Sequence, residues 1–384
     1  MAKRGKKGFS LTKVFGLLLI LAGLGSAVAY ILTMKSTPKP AAVTGLEIDP
    51  GTGSVLYQVP QNAGLKTISQ DLEAKGLIAN ALAFKYFLVL TRQEKKIRAG
   101  YFYVKPSNSI LEMVWKLTNG KMATQTVTIP EGKASWEIYS ILMSKFPLDS
   151  LRFDSLLHSA EFAKSCHVDA PSLEGYLFPD TYVLPWKVTE RDVIKVMVGR
   201  FREVTRDFSL DSPMYRQYGQ RGWLTLASIV EKEAAVPAEQ ELIAGVFYNR
   251  LKLGWSLGAD PTVRFAVRKP TGPLLVSDLD TDSPYNTRKF TGLPPGPICS
   301  PGRGALRAAL NPIQTDKMFF VAKDDGSREH FFSVDNPEHL RYKAVAAANR
   351  LKRTVGKSRG QAEPTVDARH KPVSHPVTRN RNRL

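Results

Sequence analysis

The sequence predicts an α+β protein: one N-terminal apolar helix, a small α+β module and a larger α+β domain. Three observations carry this expectation. Residues 14–34 read VFGLLLILAGLGSAVAYILTM, without a charge. Downstream, segments with apolar residues at helical spacing and short strand-like runs with alternating aromatics follow one another. The chain of 384 residues has room for two ordinary domains, and its 43% hydrophobic content permits a sizeable core.

The N-terminal run matches the roughly 20 apolar residues needed to cross a hydrocarbon layer as a helix. A small-residue cleavage site could follow Ala29, but Tyr30, Ile31, Leu32 and Met34 continue the apolar run past it, which favours an uncleaved anchor. Lys3, Arg4, Lys6, Lys7 and Lys13 precede it with no acid, so residues 1–13 are expected in the cytoplasm and everything after the span outside the plasma membrane.

The net charge of +19 is concentrated at the ends. Residues 350–384 carry ten Lys/Arg against Glu363 and Asp367; without both ends, 39 basic residues face 33 acidic ones, a net +6. A nucleic-acid partner needs a basic patch on a folded module, which this distribution does not offer. The two cysteines, Cys166 and Cys299, lie 133 residues apart and define no bridge. No metal-ligand spacing joins them to the six histidines, and phosphate-cradling, zinc-protease and serine-elbow motifs are absent, so neither metal nor cofactor is expected.

Residues 35–53 are rich in Pro, Gly, Ser and Thr and read as a linker. Residues 54–125 then read β-α-α-β-α. SVLYQVP is a strand, and Leu65, Ile68, Leu72 and Leu77 mark a helix with Gly76 near its end. NALAFKYFLVL is a second helix, AGYFYVK a second strand, and SNSILEMVWKLTNGK a third helix. This order resembles a LysM-like module, a small fold associated with N-acetylated glycans. Residues 126–352 form the larger domain, opening on TQTVTIPEG and closing on the helix PEHLRYKAVAAANRLKR after a hairpin around Asp325 and Gly326. The polar, basic residues 353–384 read as a disordered tail.

LASIVEKEAAVPAEQE, residues 226–241, holds four glutamates. Pro237 pushes its predecessor out of the helical region, so one helix should end near Ala235 and a second begin at Pro237. Glu239 and Glu241 then fall in that second helix's first turns, where the helix dipole favours exposed carboxylates. Glu231 and Glu233, two residues apart, point roughly 200° apart and cannot face each other. Glu231 shares its face with Ala227, Ser228, Ala234 and Ala235, small residues that let another chain or a substrate approach. It lies near a helix C-terminus, which disfavours negative charge and suits a proton donor. A buried structural glutamate remains the alternative at this point.

LASIVEKEA, VFYNRLKLGWSLGADPTV, SPYNTRKFTGLPPGPICSPGRGALRAALNP and FFVA…HFFS occur in one order, with TIPEG and EGYLFPDTY upstream. Together they closely resemble the YceG-like family of membrane-anchored endolytic murein transglycosylases, over roughly residues 55–352. The resemblance implies that Glu231 is the single catalytic acid, cleaving MurNAc-β-1,4-GlcNAc bonds in peptidoglycan glycan strands with 1,6-anhydro ends. Because the substrate's own 6-hydroxyl is the nucleophile, no second carboxylate is required to activate a water, unlike a two-carboxylate hydrolase. The resemblance also implies work on nascent strands and peptidoglycan synthases as partners.

Tyr285, Asn286 and Thr287, on a loop before GLPPG, are candidates for sugar contact, with turn chemistry as their other role. Asp260 could hold the loop or touch substrate, and Glu174 could line the cleft or fix the turn before Gly175. The GLPPGPICSPG run reads as scaffold, with Ser300 and Pro301 as cap and first-turn proline of the next helix. His330 reads as structural. The basic tail is expected to associate with anionic envelope polymers or lipid headgroups. The rival function is a non-catalytic, membrane-anchored glycan-binding scaffold of wall synthesis, and the two readings differ at Glu231.

Overall fold

The computed structural model describes residues 11–33, 52–106 and 108–360, with the side chains of residues 11–14, 17 and 355–360 left out. Most of the expected basic start, most of the linker, and residues 361–384 of the tail lie outside the described residues. The chain divides into two compact units, Met1–Val204 and Thr205–Leu384. The boundary expected near residue 125 therefore falls inside the first unit.

The first unit opens with α1 (Leu11–Thr33), a single 23-residue helix. Phe15, Leu18, Leu19, Ile20, Leu21 and Leu24 along it are exposed. Among the described residues no helix is long and apolar enough to cross a membrane.

Next come β1 (Val55–Val59), α2 (Leu65–Ala74), α3 (Ala81–Leu90), β2 (Gly100–Val104) and α4 (Ile110–Asn119), in the expected order. β1 and β2 pair antiparallel with Tyr57 opposite Phe102. Their inward side chains meet Ile68 and Leu72 of α2, Phe84 and Leu88 of α3, and Met113 and Leu117 of α4 in one core. Gly76, at φ 66°, ends α2 in the left-handed conformation that a Cβ would strain. Asn80 caps α3 by accepting from Ala83 N–H, and Ser109 and Glu112 form a capping box on α4.

The rest of this unit holds β3 (Thr124–Thr128), α5 (Ser135–Met143), α6 (Ser150–Leu157), α7 (Ala160–Ser165), β4 (Thr181–Pro185) and most of α8 (Glu190–Thr205). β3 and β4 pair antiparallel, Val127 opposite Tyr182. α8 buries Val193, Ile194, Met197, Val198 and Phe201, one stripe at helical spacing.

The second unit is built on α9 (Pro213–Glu233), α10 (Gln240–Lys252) and α13 (Arg303–Leu310), with α11 (Asp260–Ala266) and α12 (Val276–Leu279) between the latter two. Ser212 caps α9 by accepting from Tyr215 N–H at 3.1 Å, and Pro213 takes the first turn. α9 kinks at Gly219, whose φ of 65° and ψ of −171° interrupt the helix. Its second segment buries Trp223, Leu224, Leu226, Ala227, Ile229 and Val230. These meet Ala305, Leu306, Ala308 and Ala309 of α13, whose small side chains allow close approach. Trp223 Nε1 donates to Leu306 O at 2.8 Å.

β5 (Phe319–Ala322) and β6 (His330–Ser333) form the expected hairpin. α14 (Asn336–Gly360) runs past its expected end near residue 352, and no proline interrupts residues 353–360.

Candidate active site

The second segment of α9 carries the glutamate-rich run to its C-terminus at Glu233, with Ala234 as cap. Val236 is extended before Pro237, which opens a short 3-10 turn, Pro237–Glu239, ahead of α10. The two-helix reading thus holds at this junction.

On the Ser228 side of Glu231 the space is filled by the chain itself, while Ala235 is exposed. Ser228 is buried; its Oγ donates to Thr225 O at 2.7 Å and accepts from Ile298 N–H at 3.0 Å. Cys299 Sγ donates to Ser228 O at 3.3 Å. Gly302 N–H then donates to Glu231 Oε2 at 3.1 Å. Gly302 is the N-cap of α13, so the half-buried Glu231 carboxyl sits at the positive end of that helix. The scaffold role of GLPPGPICSPG is this strapping of residues 298–302 onto α9. Ser300 is not the cap: Gly302 takes that place without a side chain, and the buried Ser300 Oγ has no hydrogen-bond partner. Cys166 and Cys299 are both buried, free thiols.

Glu233, on a different face, is in the electrostatic field of Arg250 on α10 and Asp260 on α11. Burial, with the Asp260 charge adding to it, pushes its carboxyl from 4.5 up to about 7, while Arg250 opposes the shift. Arg250 is itself held by Met318 O at 2.9 Å and by Leu257 O, and lies over the Phe319 ring.

Asp260 is exposed and pairs with Arg288 at 2.8 Å, tying α11 to the loop that carries Tyr285, Asn286 and Thr287. Asn286 is fully buried. Its Nδ2 donates to Leu279 O and Thr281 O, both at 2.9 Å, and its Oδ1 accepts from Arg288 N–H at 3.1 Å. Thr287 Oγ1 accepts from Ala259 N–H at 3.1 Å and lies 2.9 Å from Thr262 Oγ1. Both polar groups are thus engaged inside the fold. Tyr285 is half-buried, its ring 4.8 Å from that of Phe265. Its hydroxyl lies over Gly296, where a Cβ would stand 3.2 Å from it and 3.6 Å from the Arg221 guanidinium.

Glu174 belongs to the first unit. It is 8% exposed and accepts from Ser135 N–H through both oxygens, at 3.1 and 3.3 Å. Ser135 opens α5, whose N-cap Ala134 has no side-chain acceptor, so the Glu174 carboxyl serves that helix N-terminus from outside. Burial raises Glu174 from 4.5 to about 7, against the lowering effect of the Ser135 hydrogen bonds.

The structure thus brings Asp260 to the Tyr285 loop and Glu233 to Asp260, while Glu231 faces residue 302. Sequence reasoning missed what acts on three carboxyls: Gly302 N–H on Glu231, the Arg250 charge on Glu233, and His330 on Glu239. Glu239 is not a solvated first-turn carboxylate. It accepts from His330 N–H at 2.9 Å, and its other oxygen lies 2.7 Å from His330 Nδ1, with both side chains largely buried. Ninety-one residues separate the two, and no local pattern signals such a pairing. Among the described residues no group of three or more His, Cys, Asp or Glu could hold a metal ion.

Comparison with known proteins matches residues 57–345 to the YceG-like family. An endolytic murein transglycosylase of Bacillus subtilis is 30% identical over 306 residues, covering 76% of this chain and 84% of that one. One from Streptococcus pneumoniae serotype 2 is 28% identical over 333 residues, covering 77% of this chain and 59% of that longer protein. The crystal structure of a yceG-like protein from Listeria monocytogenes aligns with a TM-score of 0.52 at 30% identity, over 75% of this chain and 98% of the other. The small module from Tyr57 onward, the strapped glutamate helix and the β5–β6 hairpin lie inside the matched span, and the chain belongs to the YceG-like family.

Proposed function

We propose that the protein is an endolytic murein transglycosylase that cleaves MurNAc-β-1,4-GlcNAc bonds in peptidoglycan strands and leaves 1,6-anhydro-MurNAc ends. Family membership and the named activity of relatives across most of the chain support the reaction. The family motif LASIVEKEA, inside the matched span, carries the residue assignment, and the Gly302 N–H bond to Glu231 Oε2 is consistent with a held carboxyl.

Glu231 serves as acid and then as base. Protonated, it donates to the glycosidic oxygen as the bond to the anomeric carbon breaks, and the new strand end leaves as an alcohol. As carboxylate it then takes the proton of the MurNAc 6-hydroxyl while that oxygen bonds to the anomeric carbon. The proton returns to Glu231 and no water is consumed, so one carboxyl completes the cycle. Glu233, on another face and in the field of Arg250 and Asp260, is not part of it. Tyr285 is the proposed sugar contact of the loop, with Asn286, Thr287 and Asp260 holding the loop in shape.

We further propose that α1 anchors the protein in the plasma membrane. The sequence from residue 14 to residue 34 is uncharged, and the basic residues before it place the N-terminus in the cytoplasm. The LysM-like module and the catalytic domain then lie outside, where nascent strands and their synthases are found.

The test compares the full chain with Glu231→Gln on purified murein, reading 1,6-anhydro ends by mass spectrometry. Anhydro products from the native protein, reduced at least about 100-fold in the variant, are expected. No anhydro product from the native protein would leave the scaffold reading in place of the enzyme. Equal product from the variant would remove Glu231 from the chemistry.

A further inference from the structure

α3 (ALAFKYFLVL) is apolar on nearly every side. It buries Ala81, Phe84 and Leu88 in the core of the small module, yet Leu82, Tyr86, Val89 and Leu90 on its other faces are exposed, Leu90 by 81%. A helix with an amphipathic role would carry polar residues there; a helix apolar all round has apolar surroundings on both sides. On α4, Leu111 and Trp115 are also exposed, one turn apart.

The end of α1 packs against this surface. Leu32 touches the core of the module, and Val28, Ile31 and Leu32 line an apolar pocket of about 190 Å3 with Ala83, Tyr86, Phe87 and Leu90. If α1 spans the bilayer up to residue 34, Val28 lies about 9 Å inside that boundary at 1.5 Å per residue. Side chains of α3 that share a pocket with Val28 and Ile31 are then brought to the same depth. That is the depth at which an interfacial helix buries its apolar face. The chain leaving α3 carries Arg92, Lys95, Lys96 and Arg98, all exposed, against Glu94. Lys85 lies beside the Tyr86 ring, 5.7 Å from its centre, able to extend its ammonium toward headgroups. Trp115 adds an aromatic side chain of the kind enriched at this level.

From this juxtaposition we infer that the small module docks onto the anionic phospholipid surface through α3, with Leu82, Tyr86, Val89 and Leu90 among the upper acyl chains and Arg92, Lys95 and Lys96 on phosphates. The inference rests on the anchor reading of α1. The module is thereby held at headgroup level beside its own anchor, not raised above the membrane on the linker.

The test uses the full chain reconstituted in phosphatidylglycerol-containing vesicles, with an environment-sensitive fluorophore on single introduced cysteines. Leu90→Cys probes α3, Leu21→Cys probes α1, and Leu151→Cys is an exposed position on α6; Cys166 and Cys299 are buried. The expected result is strong quenching of the Leu90 label by lipid-borne nitroxide and at least about threefold weaker quenching by aqueous iodide than at Leu151. Adding Lys95→Glu and Lys96→Glu should weaken the lipid quenching at Leu90. Iodide quenching at Leu90 equal to that at Leu151, with the Leu21 label still lipid-quenched, overturns the docking and leaves the anchor intact. A Leu90 label shielded from both quenchers marks a protein partner in place of lipid and also overturns it. A Leu21 label that lipid does not quench overturns the anchor reading, and the docking with it.

Discussion

Gly302 donates its backbone N–H to Glu231 Oε2 at 3.1 Å, across 71 residues of sequence. This bond joins the C-terminal turn of α9 to the N-terminus of α13 and holds one oxygen of the carboxyl. Gly302 has a φ of −76°, within proline's range, so Gly302→Pro removes the donor at a compatible backbone angle. Loss of one hydrogen bond to a charged group is worth roughly 1.5–3 kcal/mol, so turnover should fall about 10- to 100-fold. Gly302→Ala, which keeps the N–H, should fall much less. Rates of anhydro-product release, compared at equal folded fraction by circular dichroism, check this.

Glu233 provides the contrast to Glu231. Glu233→Gln is expected to keep activity within about tenfold, whereas Glu231→Gln loses the 10²–10⁴-fold typical of an acid–base group. Glu233 also has its own pH signature. Its carboxyl is raised from 4.5 to about 7, so on raising the pH the unfolded chain ionises first and stability falls through that interval. Glu233→Gln removes this loss, and its melting temperature relative to the native protein should be higher at pH 8 than at pH 4.5.

Glu174 should show the same sign in the first unit. Raised from 4.5 to about 7 by burial, it costs on the order of 3 kcal/mol when the pH rises from below 4.5 to above 7. Glu174→Gln retains an oxygen to accept from Ser135 N–H but cannot ionise. The fall in thermal stability between pH 5 and pH 8 should therefore be smaller in the variant, as read by calorimetry.

Asn286 and Tyr285 are adjacent but should respond differently. Asn286→Ala leaves Leu279 O, Thr281 O and Arg288 N–H without their partner in a buried loop, at a cost of about 2–4 kcal/mol. Tyr285→Phe keeps the ring on Phe265 and removes only the hydroxyl above Gly296. Asn286→Ala should lower the melting temperature by several degrees, while Tyr285→Phe should lower it less and raise KM for murein.

Much of this was legible in the chain. The β-α-α-β-α order of the small module followed from spacing, Gly76 and the Ser109 cap, because helix periodicity and caps are local. The break between α9 and α10 followed from Pro237, whose restriction acts on its immediate neighbour. Conversely, Ser300 and Pro301 looked like a helix start, yet α13 begins two residues later. The strap from Ile298 to Ser228 fixes the backbone there, and tertiary hydrogen bonds outweigh local preference. Glu239 looked solvated for the same reason: its partner arrives on a hairpin far along the sequence.

The sequence by itself determined the elements of the small module, the separation of Glu231 from Glu233 around one helix, and the family motifs. Backbone sterics and helical pitch act over a few residues, and they suffice for these. Only the tertiary structure decided the surroundings of each carboxyl: Gly302 N–H for Glu231, the charges of Arg250 and Asp260 for Glu233, Ser135 N–H for Glu174. Desolvation and hydrogen bonding depend on what packs in space, and residues distant in sequence supply it.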